Sequence, residues 1–456
     1  MDAAEPTPTL NRRHLVAGAL AAGAGAALAG APSAFATEPG NAAKTVKRPA
    51  ATFFHEPGLN FQMLFAIGAA GYGASEVGEV LATFDRIHGK GDKLDVVFEE
   101  FLRLGRRTRT RADSERRAGR RQSARNSYLR AAMYLDQALF FTLASSQPTR
   151  RHEGRAYREM ESAWASAAAL FEPAFEPVRI PYRGGSLPGW FLSPGGTGNR
   201  PTAILNTGSD AQNIDMYVYG GAAALERGWN ALIFEGPGQG ANLFLHNIAF
   251  VPDWETVITP VVDFLRGRPE VDKRRICLIG QSFGGYLTAR AAAYEHRLAG
   301  LVPDPGVVDA FVSWQEGLGP LLPLLNSGQR DEFNREWSGY LRQTGEFKRF
   351  GIEKRIEIYG QGGGYEQLKL AQRFKLSPAD ASRISAPMAI LSPQLEQFFP
   401  GQAQTMHRWT KATTKSEVIA FTVAEGAEYH CEPMAPQLRN ERVFDWLEAN
   451  LEPVRS

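Results

Sequence analysis

The pattern of apolar and polar positions divides the chain into a helical first part and a strand-rich second part. Between residues 51 and 175, apolar residues recur at intervals of three and four, as in NSYLRAAMYLDQALFFTLAS and AYREMESAWASAAALFEPAF. This spacing is typical of amphipathic helices. After residue 175 the pattern changes to short apolar runs separated by glycine-rich turns. The sequence therefore predicts an N-terminal helical domain over residues 51–175.

The second part alternates predicted strands with predicted helices. EPVRIPY and LPGWFLSP flank a Gly-Gly turn and predict a hairpin. Six more strands are predicted at TAILN, NALIFE, ICLIG, LAGLVPD, PMAILS and SEVIAFTV. The stretches between them, such as WETVITPVVDFLRGR, are helical in pattern, and QLRNERVFDWLEANL predicts a closing helix. This alternation predicts an α/β fold with a mainly parallel eight-stranded sheet covered by helices on both faces.

A long segment between the sixth and seventh predicted strands interrupts this alternation. Residues 305–384 contain helical stretches such as EFNREWSGYLRQTGEFKRFG but no strand pattern. An insertion at this point would cover the mouth of the sheet as a lid, and its tryptophans in VSWQEGLG and FNREWSGY would line a pocket. The strand-rich domain is therefore predicted in two parts, residues 176–304 and 385–456.

The first 36 residues predict an export signal. Arg12 and Arg13 precede an Ala/Gly-rich apolar run, and Ala34-Phe35-Ala36 is a small-x-small cleavage pattern. This arrangement resembles a twin-arginine signal, whereas the apolar run is short and glycine-rich for a membrane anchor. We expect the bacterial twin-arginine (Tat) machinery as a partner, cleavage after Ala36, and a flexible linker over residues 37–50. The mature protein would be periplasmic or secreted, with no stable membrane insertion.

Composition narrows the classes of function. A hydrophobic fraction of 43% and a charged fraction of 22% are typical of a soluble globular protein, and the net charge of +2 favours no polyanionic partner. A disulfide between the two cysteines, Cys277 and Cys431, is possible, but nothing in the sequence supports it. No Cys/His cluster has the spacing of a zinc site, so we expect neither metal nor cofactor.

An arginine run over residues 103–125 stands out against this neutral background. It contains ten arginines, opposed only by Asp113 and Glu115. Such a run can form a surface for nucleic acid or anionic lipid. No aromatic residues interleave the charges to stack on bases, which favours a solvated helix pair and no nucleic-acid partner.

The stretch GQSFGG, residues 280–285, indicates a nucleophilic serine. It matches G-x-S-x-G, in which the serine occupies a sharp strained turn between a strand and a helix. The strand ICLIG precedes it and the helical stretch YLTARAAAYE follows it, as the motif requires. An ordinary glycine-rich turn is the alternative. We therefore predict Ser282 as the nucleophile.

A nucleophilic serine needs a histidine base and an acid that orients it. His430 lies between the last predicted strand and the closing helix, where an α/β-hydrolase fold places this base. The loop after the seventh strand contains one carboxylate, Glu396, which we predict as the acid. Asp304, after the sixth strand, is the alternative acid.

Two further turns carry candidate site residues. The N–H groups of an oxyanion hole are predicted at Phe283, directly after the nucleophile, and at Gly208 or Ser209 in NTGSD. The turn EGPGQG does not match a phosphate-binding loop. Its Glu235 is either a substrate-pocket residue or a structural cap.

Four motifs, EGPGQG, GQSFGGY, EQFFPGQ and EGAEYHCEPM, occur in this order and resemble an α/β-hydrolase family with an N-terminal helical domain. That family includes dihydroxypseudooxynicotine hydrolase and fungal polyketide-shortening hydrolases. The resemblance covers about residues 176–452 and implies Ser282 as nucleophile, His430 as base and the carboxylate near Glu396 as acid. The usual acid of the family is an aspartate, so the glutamate is a departure. The resemblance also implies cleavage of a carbon–carbon bond flanked by carbonyl groups.

The sequence therefore predicts an exported serine hydrolase that acts on an ester or on a carbon–carbon bond between carbonyls in a small organic molecule. Two alternatives come from other classes of function. One is a catalytically inactive hydrolase fold used as a binding module, and the other is a protein that binds anionic surfaces through its arginine run.

Overall fold

The computed structural model describes residues 52–146 and 148–451. The predicted export signal, residues 1–36, and the predicted linker, residues 37–50, lie outside the described residues. Within the described ranges, no helix is both long enough and apolar enough to cross a bilayer.

An N-terminal helical region precedes the sheet. Its α-helices are α1 (Pro57–Gly68), α2 (Val77–His88), α3 (Leu94–Arg117), α4 (Arg121–Phe140) and α5 (Arg150–Ala168). Helices α3 and α4 are joined by a short turn and form an antiparallel pair. The two helices are very close at Gly105, where a Cβ would lie 2.7 Å from Leu135 Cγ. Only glycine permits this approach of the two backbones.

The second part of the chain forms one eight-stranded sheet. Its strands are β1 (Glu176–Tyr182), β2 (Gly185–Leu192), β3 (Arg200–Asn206), β4 (Asn230–Phe234), β5 (Val271–Gln281), β6 (Gly300–Asp304), β7 (Met388–Pro393) and β8 (Ser416–Phe421). The spatial order is β1-β2-β4-β3-β5-β6-β7-β8. Strand β2 pairs antiparallel with both β1 and β4, and the other pairings are parallel. The central strands have continuous buried apolar runs, such as AIL in β3 and ICLI in β5, because helices cover both of their faces.

Helices connect the strands. Between β3 and β6 lie α6 (Asn213–Met216), α7 (Ala222–Glu226), α8 (Gly240–Phe244), α9 (Glu255–Arg266) and α10 (Gly284–Ala292). Between β6 and β7 lie α11 (Val312–Leu318), α12 (Leu321–Asn326), α13 (Arg330–Gln343), α14 (Glu346–Ile356), α15 (Gly364–Ala371) and α16 (Pro378–Ala381). Helices α17 (Gln402–Thr410) and α18 (Pro436–Asn450) complete the fold.

The predicted fold class is confirmed: this is an α/β-hydrolase fold with an N-terminal helical region and a helical insertion after β6. The insertion packs against the N-terminal helices. Phe350 on α14 stacks on Phe141, just after α4, with ring centroids 5.4 Å apart and planes 8° from parallel. The insertion and the N-terminal helices thus meet above the carboxyl ends of the parallel strands, where ligands bind in open α/β sheets.

The arginine run lies on α3, on α4 and in the turn between them. Several of its guanidinium groups have partners on neighbouring helices. Arg106 binds both carboxylate oxygens of Glu159 at 2.7 and 2.8 Å, Arg111 binds Glu79 at 3.1 Å, and Arg109 donates to Ser162 Oγ at 2.7 Å. These contacts favour the interpretation of a solvated helix pair.

Candidate active site

Ser282 occupies the turn between β5 and α10. Its φ of 61° lies in the left-handed region, which costs a non-glycine residue strain energy. The Ser282 N–H donates to the carbonyl oxygen of Asp304 at the end of β6, at 2.5 Å. The neighbouring strand therefore holds the strained turn in place, as the G-x-S-x-G motif predicts.

The two glycines of the motif are required by close approach. A Cβ on residue 280 would lie 2.1 Å from the carbonyl oxygen of Gly284, and a Cβ on residue 284 would lie 2.6 Å from that of Asn206. Neither contact is possible for a larger residue. The motif is thus explained by the packing of the turn against β3 and against its own helix.

His430 follows β8, in the loop before α18. Its Nε2 lies 2.9 Å from Ser282 Oγ, and its Nδ1 lies 2.9 and 2.8 Å from the two carboxylate oxygens of Glu396. The His430 backbone N–H donates to Gln397 Oε1 at 3.0 Å. The loop that carries the imidazole is therefore tied to the loop that carries the carboxylate.

Glu396 is held by its own loop. Its Oε1 accepts the backbone N–H groups of Phe398 at 2.8 Å and Phe399 at 3.0 Å. These two hydrogen bonds fix the position of the Glu396 carboxylate independently of its contact with His430. The structure brings the predicted side chains of Ser282, His430 and Glu396 into one hydrogen-bonded series, while their chemical roles stay predictions.

Asp304, the alternative acid, lies nearby but has a different partner. Its Oδ2 is 3.0 Å from Nε and 2.9 Å from Nη2 of Arg439, and both side chains are fully buried. Burial raises the pKa of Asp304, and the guanidinium opposes that shift. The geometry therefore favours Glu396 over Asp304 as the partner of His430.

The candidate oxyanion residues lie around Ser282. A Cβ on residue 208 would lie 2.8 Å from Ser282 Cβ and 2.8 Å from the backbone nitrogen of Phe283, so Gly208 touches the turn itself. Ser209 and Phe283 line the same cavity as Ser282. Within the described residues, neither the Ser209 N–H nor the Phe283 N–H donates to a backbone carbonyl. They stay candidates for binding an oxyanion.

The cavity above Ser282 has a volume of about 110 Å³, and its lining is mainly apolar and rich in aromatic side chains. Phe398 contacts His430 edge to face with centroids 4.8 Å apart. Of the two tryptophans expected in the pocket, Trp314 lines the cavity. Trp337 instead stacks on Phe333 within the insertion, with centroids 5.9 Å apart. Six of the aromatic side chains come from α1, the insertion and the loop after β7, and three more come from α4, the segment after α6 and the turn at Ser282: Phe61, Phe65, Trp314, Tyr359, Phe398, Phe399, Phe140, Tyr219 and Phe283.

Other cavity-lining residues were missed by sequence reasoning. Asp136 and Gln137 come from α4, and Arg355 comes from α14. No motif surrounds them, and their helices are separated from Ser282 by many residues. The helical pattern predicts which faces are apolar, but it does not predict which polar residue faces a cavity.

Glu235, predicted as either a substrate-pocket residue or a structural cap, has the contacts of a structural cap. It is not among the residues that line the cavity. Its carboxylate accepts hydrogen bonds from Tyr157 Oη at 2.7 Å, Asn213 Nδ2 at 3.1 Å and the Ala241 N–H at 2.9 Å. It thus caps the turn after β4 and ties α5 to the sheet.

The two cysteines, Cys277 and Cys431, are free and buried and form no disulfide.

A second carboxyl, Glu161 on α5, lies close to Glu235. It accepts from Trp190 Nε1 at 3.0 Å and Asn213 Nδ2 at 2.9 Å. Burial and the charge of Glu235 raise the pKa of Glu161 from its ordinary value of 4.5 to about 8. The folded state therefore binds a proton that the unfolded chain releases between these values.

We expect stability to fall as pH rises from about 4.5 to about 8, because the folded state binds more protons than the unfolded state in that window. Glu161→Gln, which carries no titratable proton, should reduce this fall. The measurement is the thermal midpoint at several pH values for wild type, for this variant and for Glu226→Gln, an exposed control. An equally steep decline in all three would exclude Glu161 as a source.

Comparisons with known proteins agree with this fold. The alpha/beta hydrolase family model matches residues 187–412, a range that contains Ser282 and Glu396. Hydrolase LUC6 of a Fusarium species is 29% identical over 377 residues, covering 78% of this chain and 85% of that protein. Hydrolase ORFZ of Pyricularia oryzae is 27% identical over 424 residues, covering 87% and 97%. The 20-hydroxy-prefusarin hydrolase FUS2 of Gibberella moniliformis is 30% identical over 262 residues, covering 56% and 61%.

Two solved structures share the architecture over most of the chain. The 2,6-dihydroxy-pseudo-oxynicotine hydrolase has a TM-score of 0.64 at 19% identity, covering 84% of this chain and 95% of that one. Wild-type AbyA5 has a TM-score of 0.58 at 18% identity, covering 85% and 93%. At these identities the likeness shows the fold alone.

Proposed function

We propose that this chain, whose residues 187–412 match the alpha/beta hydrolase family model, is an exported serine hydrolase that cleaves an ester, or a carbon–carbon bond flanked by carbonyls, in a small organic substrate. One observation carries the proposal. Ser282, His430 and Glu396 form a continuous hydrogen-bonded series at the base of an aromatic cavity. This series is the arrangement that activates a serine hydroxyl.

The first step is attack on a carbonyl carbon. His430 Nε2 removes the proton of Ser282 Oγ while Oγ forms a bond to the carbon. The imidazolium that forms is stabilised by the Glu396 carboxylate, which accepts the Nδ1–H. Negative charge moves to the carbonyl oxygen, where the N–H groups of Phe283 and of Gly208 or Ser209 are the candidate donors.

The second step expels the leaving group. With an ester, the carbon–oxygen bond breaks, the alkoxide leaves with the electron pair, and His430 donates its proton to that oxygen. With a 1,3-dicarbonyl compound, the carbon–carbon bond breaks and the electron pair leaves as an enolate, which His430 protonates. Water then hydrolyses the acyl-enzyme, with His430 again acting as base. The groups required are the same in both reactions.

Support for the carbon–carbon reaction comes from similar proteins. The four motifs EGPGQG, GQSFGGY, EQFFPGQ and EGAEYHCEPM resemble a family for which such cleavage is implied. The aromatic lining also suits a conjugated substrate better than a flexible polar one. A small aryl 1,3-diketone is therefore the first substrate to test.

The test is hydrolysis of aryl 1,3-diketones and of matched aryl esters in D₂O, with the products identified by mass spectrometry. Carbon–carbon cleavage by this mechanism yields a carboxylic acid and a ketone with deuterium at the new α-carbon. Ester cleavage alone would restrict the proposal to esterase activity. Turnover of neither class by folded protein, across a panel of activated acyl compounds, would contradict the proposal.

Export rests on the sequence of residues 1–36. We expect this segment to carry a fused reporter, one that folds before translocation, into the periplasm of a bacterium with a twin-arginine pathway. Replacing both Arg12 and Arg13 with lysine should leave the reporter in the cytoplasm, because the translocation machinery recognises the paired arginines. The measurement is fractionation with and without the pathway. Cytoplasmic retention of the wild-type fusion would contradict export.

A further inference from the structure

One side chain in the active-site cavity is a carboxyl without a strong partner. Asp136, on α4, is 6% exposed and lines the cavity that contains Ser282. Within the described residues, the hydrogen bond to its carboxyl comes from the adjacent Gln137, whose Nε2 lies 3.4 Å from Asp136 Oδ2. No cation of the described chain lies within ion-pair distance of Asp136. A buried carboxyl in this state costs free energy unless a ligand completes its hydrogen bonds.

Two amides in the same cavity also carry unpaired acceptors. Gln137 is 1% exposed and Gln281 is 2% exposed, and both line the cavity. The Oε1 atom of each is buried without a hydrogen-bond partner in the described chain. Gln281 directly precedes the nucleophile, whereas Gln137 lies on the N-terminal helical region. The residues that line the cavity thus include buried, unpaired acceptors from both parts of the fold, and each amide must rotate to reach a ligand.

The neighbouring charged groups already have partners. Asp215 Oδ2 accepts the Gln212 N–H at 2.7 Å as a helix cap. Asp210 lies 4.0 Å from Arg355, and Lys354 lies 3.5 Å from Glu153. Burial raises the pKa of Asp136 well above its ordinary value; the charge of Asp215 adds to that shift, and the charge of Lys354 opposes it. Asp136 is therefore the carboxyl of this group that remains available to a ligand.

We propose that Asp136, with the amide oxygens of Gln137 and Gln281, determines specificity by binding a hydrogen-bond-donating group of the substrate, a hydroxyl or a protonated amine, on a part that Ser282 does not attack. This inference rests on the proposed hydrolase function. It adds to that function a substrate class: aryl acyl compounds that carry such a donor.

A hydroxyl and a protonated amine would bind to Asp136 and the two glutamine side chains in different ways. A hydroxyl donates to an amide oxygen and accepts the proton of the Asp136 carboxyl when that carboxyl is protonated. A protonated amine draws Asp136 into its ionised form and makes a charge-assisted bond. A substrate with neither group leaves the buried acceptors unpaired, which is how a polar site rejects an analogue.

The test measures the second-order rate of Ser282 labelling by arylpropyl p-nitrophenyl phosphonates. The probes carry hydrogen, hydroxyl or aminomethyl at the ortho, meta or para ring position. Each rate is divided by that of the unsubstituted probe for the same protein, so changes in the nucleophile itself cancel. We expect a preference of about tenfold or more for a donor at one ring position in wild type, the size of one bond to a buried group.

Asp136→Ala should reduce that preference to about onefold. Asp136→Asn keeps the size and distinguishes the donors: a hydroxyl preference should largely survive, whereas a protonated-amine preference should be lost with the charge. The exposed Asp85→Asn on α2 is the control and should retain the wild-type ratio. Near-ultraviolet circular dichroism and thermal unfolding establish that each variant is folded.

The outcomes separate this inference from the function on which it rests. No labelling of wild type by any probe contradicts the proposed hydrolase. Labelling of wild type without a donor preference at any position, or a preference that Asp136→Ala retains, overturns the role of Asp136 alone.

Discussion

Replacing Ser282 with alanine is expected to lower kcat by about 10⁵–10⁶-fold on the best substrate identified, the scale seen when the serine of a Ser-His-acid enzyme is removed. The reason is geometric. In the described chain, Ser282 Oγ is the hydroxyl bonded to His430 Nε2, so no other group can receive the acyl part at that place. The measurement is single-turnover hydrolysis, with folding checked by thermal unfolding.

The matched control for this variant is Ser327→Ala. Ser327 is exposed at the end of α12, and its hydroxyl donates to the carbonyl oxygen of Pro323. It should retain wild-type kcat. A folded Ser282→Ala protein with more than about a tenth of wild-type activity would contradict nucleophilic catalysis by this residue.

Glu396→Gln is expected to lower kcat by at least about a hundredfold, since loss of the acid in comparable serine triads costs up to about 10⁴. The carboxylate oxygen Oε1 accepts two backbone N–H groups. A glutamine is therefore held with its oxygen on those groups and its NH₂ towards His430 Nδ1. That NH₂ favours the tautomer with the proton on Nε2, which cannot accept the proton of Ser282.

Asp304→Asn is the comparison variant for Glu396→Gln. Asp304 is bound to Arg439, so the substitution leaves a buried guanidinium without the carboxylate that pairs with it. We therefore expect a clear loss of stability and only a small change in the kcat of each folded molecule. The measurements are kcat, corrected for the folded fraction, and the unfolding midpoint. If Asp304→Asn has the larger effect on kcat and Glu396→Gln the smaller, Glu396 is not the orienting acid.

The sheet and the positions of Ser282 and His430 could be predicted because their signals are local. The run ICLI is buried on both faces of the central strand β5, so its apolar residues are continuous. The glycines of G-x-S-x-G are needed by contacts within one turn. His430 and Glu396 could be predicted because chain order places them after β8 and β7. Each signal depends on neighbouring residues or on the order of elements.

The rest depends on packing between distant elements. Glu235 lies in the turn of a recognisable motif, but its partner Tyr157 comes from α5 and makes it structural. Asp136 lies in a helical pattern that gives no sign of a cavity. Trp337 was expected in the pocket and instead packs inside the insertion. Sequence patterns predict which element a residue belongs to, whereas these contacts are set by how the helical region, the insertion and the sheet meet.

Covalent labelling with a fluorophosphonate tests the central claim, that Ser282 is an activated nucleophile, without knowledge of the substrate. The folded protein is treated with the probe, digested, and the modified residue is mapped by tandem mass spectrometry. The expected result is one label per chain on Ser282, lost in Ser282→Ala and slowed at least about tenfold in Glu396→Gln. Absence of labelling in folded wild-type protein, or a label on another residue, would contradict the claim.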